Sequence, residues 1–210
     1  MIKKIFFGIC IIFIGNLISM KLYAKGDIDR GKAIYKVCVA CHGDNGGGLK
    51  ISNAPRIAGQ ESWYIKRQLY NFKNGIRGSH FNDITGMQMR TMAVSLKDND
   101  IEDLVAYIGT LNGRARHIGL DGDAKAGEQA YAICASCHGK NGQGNISLNS
   151  PKIAGLPDWY VEKQLYNFRN GIRGVHSKDI YGQQMRPMAM ALPNDQAVRN
   201  VTVYIKSLKR

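Results

Sequence analysis

Residues 38–42 read Cys-Val-Ala-Cys-His, and residues 134–138 read Cys-Ala-Ser-Cys-His. Cys-x-x-Cys-His is the attachment frame of c-type haem. Two thiols about one helical turn apart can each reach a vinyl group at a haem edge, and the His that follows then lies under the iron. Cys38, Cys41, Cys134 and Cys137 are therefore the expected attachment residues, and His42 and His138 the expected proximal iron ligands. The competing chemistries fit less well. A redox dithiol calls for a βαβ surrounding that the pattern lacks, and a zinc site of four cysteines leaves both histidines unexplained. The neutral form of each His binds through one ring nitrogen, so the other needs an acceptor. The backbone carbonyls of Pro55 and Pro151 are placed to supply it.

Outward from these frames the chain repeats itself at a shift of 96 residues. Cys38 falls on Cys134, Pro55 on Pro151, Gly59 on Gly155, and Trp63-Tyr64 on Trp159-Tyr160. Gln68-Leu-Tyr-Asn-Phe72 recurs at 164–168, and Gly75-Ile-Arg-Gly78 at 171–174. Identity at fixed spacing means two copies of one structural unit. Each copy is small for an independent core, and a large apolar cofactor would supply what is missing. The Gly-, Arg- and Asp-rich stretch between them reads as a linker. The expected organisation is a unit over 25–112, a linker over 113–123 and a second unit over 124–210.

Residues 1–24 stand apart. Lys3 and Lys4 precede an apolar run from Ile5 to Met20, and Ala24 closes the stretch on a small residue. This is the layout of a secretory signal peptide, so a periplasmic location is expected. Removal of that segment lowers the net charge from +13 to about +10. Such a field draws acidic partners or anionic membrane surfaces, compatible with association at the inner membrane. An exported protein does not meet nucleic acid.

Apolar spacing predicts an all-α unit. One helix should run from Asp27 into Cys38, a second over 61–74 and a third over 98–111, with Asp98 or Asn99 capping the last. The sixth iron ligand decides the chemistry. Each repeat offers Met-Arg-x-Met, at Met89 and Met92 and at Met185 and Met188. Methionine opposite histidine raises the potential and closes the iron to other ligands, which suits electron transfer. His80 and His176 are the rival ligands. His117 has no twin and reads as linker. Arg77, Arg90, Arg173 and Arg186 recur, as candidates for pairing with haem propionates or for a docking face. Tyr64 and Tyr160 are further propionate candidates, against a packing role.

Taken together, these features resemble the dihaem cytochrome c4 family of the class I cytochromes c. The features carrying the resemblance are the two Cys-x-x-Cys-His frames, Pro55-Arg-Ile-Ala-Gly59 with Pro151-Lys-Ile-Ala-Gly155, the Tyr-x-x-x-Gln-Leu helix ending in Gly-Ile-Arg, and Met-x-x-Met-Ala-x-x-Leu. The resemblance covers nearly all of the chain after residue 24. It implies two tandem class I cytochrome c domains, each wrapped around a covalently bound haem, with Met89 and Met185 as sixth ligands. It also implies a periplasmic carrier in a respiratory chain, working between a quinol-oxidising complex and a membrane-bound terminal oxidase. Two alternatives remain: a cytochrome subunit of a dehydrogenase such as a flavocytochrome, and a dihaem peroxidase-like enzyme. Against the latter, the two Met segments are alike. The chain departs from the family where Lys97-Asp98 and Pro193-Asn194 replace the usual Ser-Asp before the last helix, which shifts the cap.

Overall fold

The computed structural model describes residues 26–208. The expected signal peptide lies outside the described residues. Within them the chain is helical, with isolated β-bridges at Leu49–Ala54 and Asn145–Ser150 in place of strands.

The first repeat contains α1 (Ile28–Tyr35), α2 (Val39–His42), α3 (Ser62–Lys73), α4 (Ile84–Val94) and α5 (Asp98–Ile108). The second contains α6 (Ala124–His138), α7 (Asp158–Arg169), α8 (Ile180–Met190) and α9 (Asp195–Ser207), with a 3₁₀ turn over Ile146–Leu148. Asp27 and Asp123 cap α1 and α6, each accepting two backbone N–H bonds from the first turn. The helix expected to run unbroken into Cys38 does so only in the second repeat. In the first, the Cys38 N–H turns back to the Tyr35 carbonyl at 2.8 Å, and α1 gives way to α2.

The first and last helices of each repeat cross face to face. A Cβ at Gly31 would come within 2.0 Å of the Asp103 carbonyl oxygen, and one at Gly127 within 2.0 Å of that of Asn200. Glycine is required there by contact, which lets α1 seat on α5 and α6 on α9. Behind these crossings lie two separate cores. Tyr35, Ile65, Ile101, Leu104, Val105 and Ile108 form one. Tyr131, Val161, Leu192, Val198, Val201 and Ile205 form the other.

The cap of α5 differs from the expectation. Lys97 is the N-cap, and the Asp100 carboxylate, one turn in, accepts its backbone N–H at 2.8 Å. Asp98 and Asn99 lie inside the helix because the cap must precede the first helical residue. In α9 the Asn194 side chain performs the task, accepting from Ala197 N–H. Helices α4 and α8, which carry the methionines, were not expected from apolar spacing. The buried Asp83 and Asp179 start them by accepting the N–H groups of Gly86 and Gly182.

Candidate functional site

In the second repeat the Cys-x-x-Cys-His frame is the last turn of α6, and in the first Cys38 caps the single-turn helix α2, which carries the rest of the frame. In α2 the N–H groups of Cys41 and His42 both return to the Cys38 carbonyl, at 3.2 and 2.8 Å. Gly43 and Gly139 end the two helices with φ of 77° and 80°. Their carbonyls accept hydrogen bonds from the buried Tyr35 and Tyr131 hydroxyls, at 2.8 and 2.7 Å. Burial pushes the Tyr131 phenol up to about 12 and raises Tyr35 likewise, so both remain donors. These tyrosines escaped the sequence reading. The signal was present, because they stand 96 residues apart as the cysteines do.

His42 and His138 are buried, and their Nδ1 atoms lie 2.9 and 2.7 Å from the Pro55 and Pro151 carbonyl oxygens. A carbonyl only accepts, so Nδ1 carries the proton and Nε2 keeps a lone pair for a metal. Burial lowers the pKa of both rings. The proline carbonyls act the other way, joined at His138 by the Glu61 carboxylate. The neutral, coordinating form is the outcome. Burial also pushes the Cys38 and Cys134 thiols up to about 11. A redox dithiol needs a depressed thiol pKa, so that chemistry is disfavoured.

The methionines lie on helices separate from the Cys-x-x-Cys-His frames. Helix α4 packs on α3, and α8 on α7. Met89 and Met185 are partly buried, whereas Met92 and Met188 are 43% and 40% exposed. His80 and His176 have a local role. Each Nδ1 accepts the N–H two residues on, from Asn82 and Lys178, at 3.1 Å, and shapes the turn that enters the Met helix.

The side chains fit haem. No three His, Cys, Asp or Glu side chains gather as a metal site among the described residues. Haem brings four nitrogens of its own, so each repeat would add one or two donors to the iron beside the two attachment cysteines. Buried Nε atoms of Arg77, Arg173 and Arg186 also lack a protein acceptor, which suits the acidic substituents of that group.

Between the repeats lies a paired cluster. Arg77 donates to Gln68 in its own repeat and crosses to Tyr160 and Gln164, at 2.7, 3.1 and 3.0 Å. Arg173 does the reverse, to Gln164, Tyr64 and Gln68, at 2.7, 3.2 and 3.1 Å. The expected Tyr64 and Tyr160 hydroxyls therefore accept from the opposite repeat's arginine. His117, read as plain linker, accepts the Asp158 N–H.

Comparison with known proteins gives a consistent picture. The family model described as cytochrome c matches residues 28–112 and again 124–209. Cytochrome c4 of Stutzerimonas stutzeri is 32% identical over 197 residues, covering 89% of this chain and 91% of that one. A crystal structure of reduced recombinant cytochrome c4 from Pseudomonas stutzeri superposes with a TM-score of 0.69 at 31% identity, covering 88% of this chain and all of that one. A thiosulfate dehydrogenase electron acceptor of Stutzerimonas stutzeri (strain A1501) is 25% identical over 204 residues, covering 90% and 86% of the two chains.

Proposed function

The chain belongs to the cytochrome c4 family of the cytochromes c, with two covalently bound haem c groups, and from that premise we propose that it carries electrons in the periplasm from a quinol-oxidising complex towards a membrane-bound terminal oxidase. It is an electron-transfer protein rather than an enzyme. Haem supplies the one-electron couple, and the protein sets its ligands and surroundings. In this reading Cys38, Cys41, Cys134 and Cys137 hold the two groups. His42 and His138 would ligate the haem iron through Nε2, and Met89 and Met185 would supply the further sulfur donors.

The observation that carries the reading is the pair of buried histidines, each with Nδ1 committed to a proline carbonyl. That arrangement leaves one lone pair per repeat, aimed by a fixed ring. The basic charge supports docking on an acidic surface or at an anionic membrane. Among the described residues no helix is long and apolar enough to cross a membrane.

The test uses reduced holoprotein and washed membranes from the organism that makes it. Cyanide-sensitive oxidation that slows as salt rises is expected. Failure of the membranes to oxidise it would remove the oxidase from the reading. The second reading, an acceptor subunit of a dehydrogenase, draws support from the likeness to the thiosulfate dehydrogenase electron acceptor. It expects co-purification with a dehydrogenase and reduction by that enzyme's substrate.

A further inference from the structure

The two repeats are alike in sequence, yet one charged contact breaks their symmetry beside an expected iron ligand. Glu61, just before α3 of the first repeat, reaches across to the second. Its two carboxylate oxygens accept the Lys152 backbone N–H at 3.2 and 3.0 Å. That N–H belongs to the peptide group whose carbonyl, from Pro151, accepts from His138 Nδ1 at 2.7 Å. A single peptide unit thus links a carboxylate of one repeat to the proximal histidine of the other. The contact is closely packed, because a Cβ on Gly144 would lie 2.6 Å from the Lys152 nitrogen and 2.7 Å from Glu61 Oε1. The repeat equivalent of Glu61 is Pro157, which has no carboxylate to return. The corresponding His42 bond to Pro55 is longer, at 2.9 Å.

We propose that Glu61 is a positioning residue of the first repeat that lowers the reduction potential of the haem held by the second. The effect runs through the peptide. A carboxylate on the N–H polarises the amide and makes its carbonyl a stronger acceptor. The carbonyl then draws on the His138 Nδ1 proton, and the ring becomes a better electron donor to iron. Negative charge on that side favours the ferric state. Pro157, at the equivalent position, carries no carboxylate and so cannot make the same contact to the first repeat.

The inference rests on the His138 ligation proposed above. Its test is a redox titration of the holoprotein and its Glu61→Gln variant, with the two haems followed separately through their NMR-resolved methyl resonances. Glutamine keeps an acceptor for the Lys152 N–H and removes the charge. The ferrous-to-ferric ratio of the second haem at fixed ambient potential should rise roughly threefold to tenfold, tenfold being about 59 mV for one electron. The first haem should not move. The ferrous wild-type protein gives a check that needs no variant: the His138 Nδ1 proton should resonate downfield of that of His42. No shift in the variant, an equal shift in both haems, or a reversed order of the two proton resonances overturns the inference. Loss of the methionine-to-iron band from either wild-type haem does not bear on Glu61, whereas a wild-type second haem without His138 as ligand overturns both readings.

Discussion

Each histidine ring at the two sites is held at one nitrogen, which makes the opposite face the place where ligand identity can be read. Met89 and Met185 are partly buried and Met92 and Met188 more exposed, three residues on along the same helix face. Replacing Met89 or Met185 by Ala should abolish the methionine-to-iron charge-transfer band of one haem and admit carbon monoxide to it. The same change at Met92 or Met188 should leave the band in place. His80→Ala and His176→Ala should also keep both bands, since each ring already serves a turn through Nδ1. The phenols behind the Cys-x-x-Cys-His frames answer to a different measurement. Tyr35→Phe removes the hydroxyl bond and leaves the Gly43 carbonyl with the Gly46 N–H at 3.3 Å, at a cost of about 1 kcal/mol. Denaturant unfolding should register that loss, with a similar one for Tyr131→Phe.

Helices α4 and α8 show why an element carrying expected ligands can be hard to read. Their apolar residues Ile84, Met92 and Val94, and Ile180, Met188 and Met190, are exposed, so no apolar stripe marks a face. Pro187 stands inside α8, where proline ordinarily ends a helix. The remaining signal is the N-cap. Asp83→Ala or Asp179→Ala should cost about 1 kcal/mol. In a denaturant titration the methionine-to-iron band of the affected repeat should then fade before that of its twin. Helices α3 and α5 were legible, because they bury residues at helical spacing. The histidine-to-proline bonds were legible too, since each Pro follows its His by the same interval in both copies. The α5 cap lies one or two positions before the expected Asp98 or Asn99, since Lys97 offers no side-chain acceptor and the capping carboxylate sits at Asp100. Glu61 was invisible for another reason. Its meaning lies in a contact with the opposite repeat, and self-comparison aligns the repeats without saying how they face.

The same holds for the molecule as a whole, where duplicated residues acquire further partners by crossing between repeats. Gln68 and Gln164 each accept from both Arg77 and Arg173. The two arginines therefore share acceptors and should not act independently. Thermal unfolding of Arg77→Leu, Arg173→Leu and the double variant should show the second substitution costing clearly less than the first. The segment between the repeats has an anchor of its own. Asp158, whose repeat equivalent is Ser62, is buried and accepts N–H bonds from Ile118, Gly119 and Leu120, at 3.0, 3.0 and 3.3 Å. Its own helix adds the N–H of Trp159 at 2.9 Å. Burial alone would raise its pKa, but these four bonds outweigh burial and hold it below the usual carboxylate range. The unfolded chain therefore takes up a proton at Asp158 at higher pH than the folded one does. The stability that Asp158 provides is complete above about pH 5, a unit past the ordinary Asp value of about 3.9. It declines as pH falls through the folded pKa. Asp158→Asn should lower the melting temperature near neutrality, and the gap to wild type should narrow below about pH 4. A gap that stays constant from pH 7 to pH 3 would mean that the carboxylate's charge plays no part in holding residues 118–120 against α7.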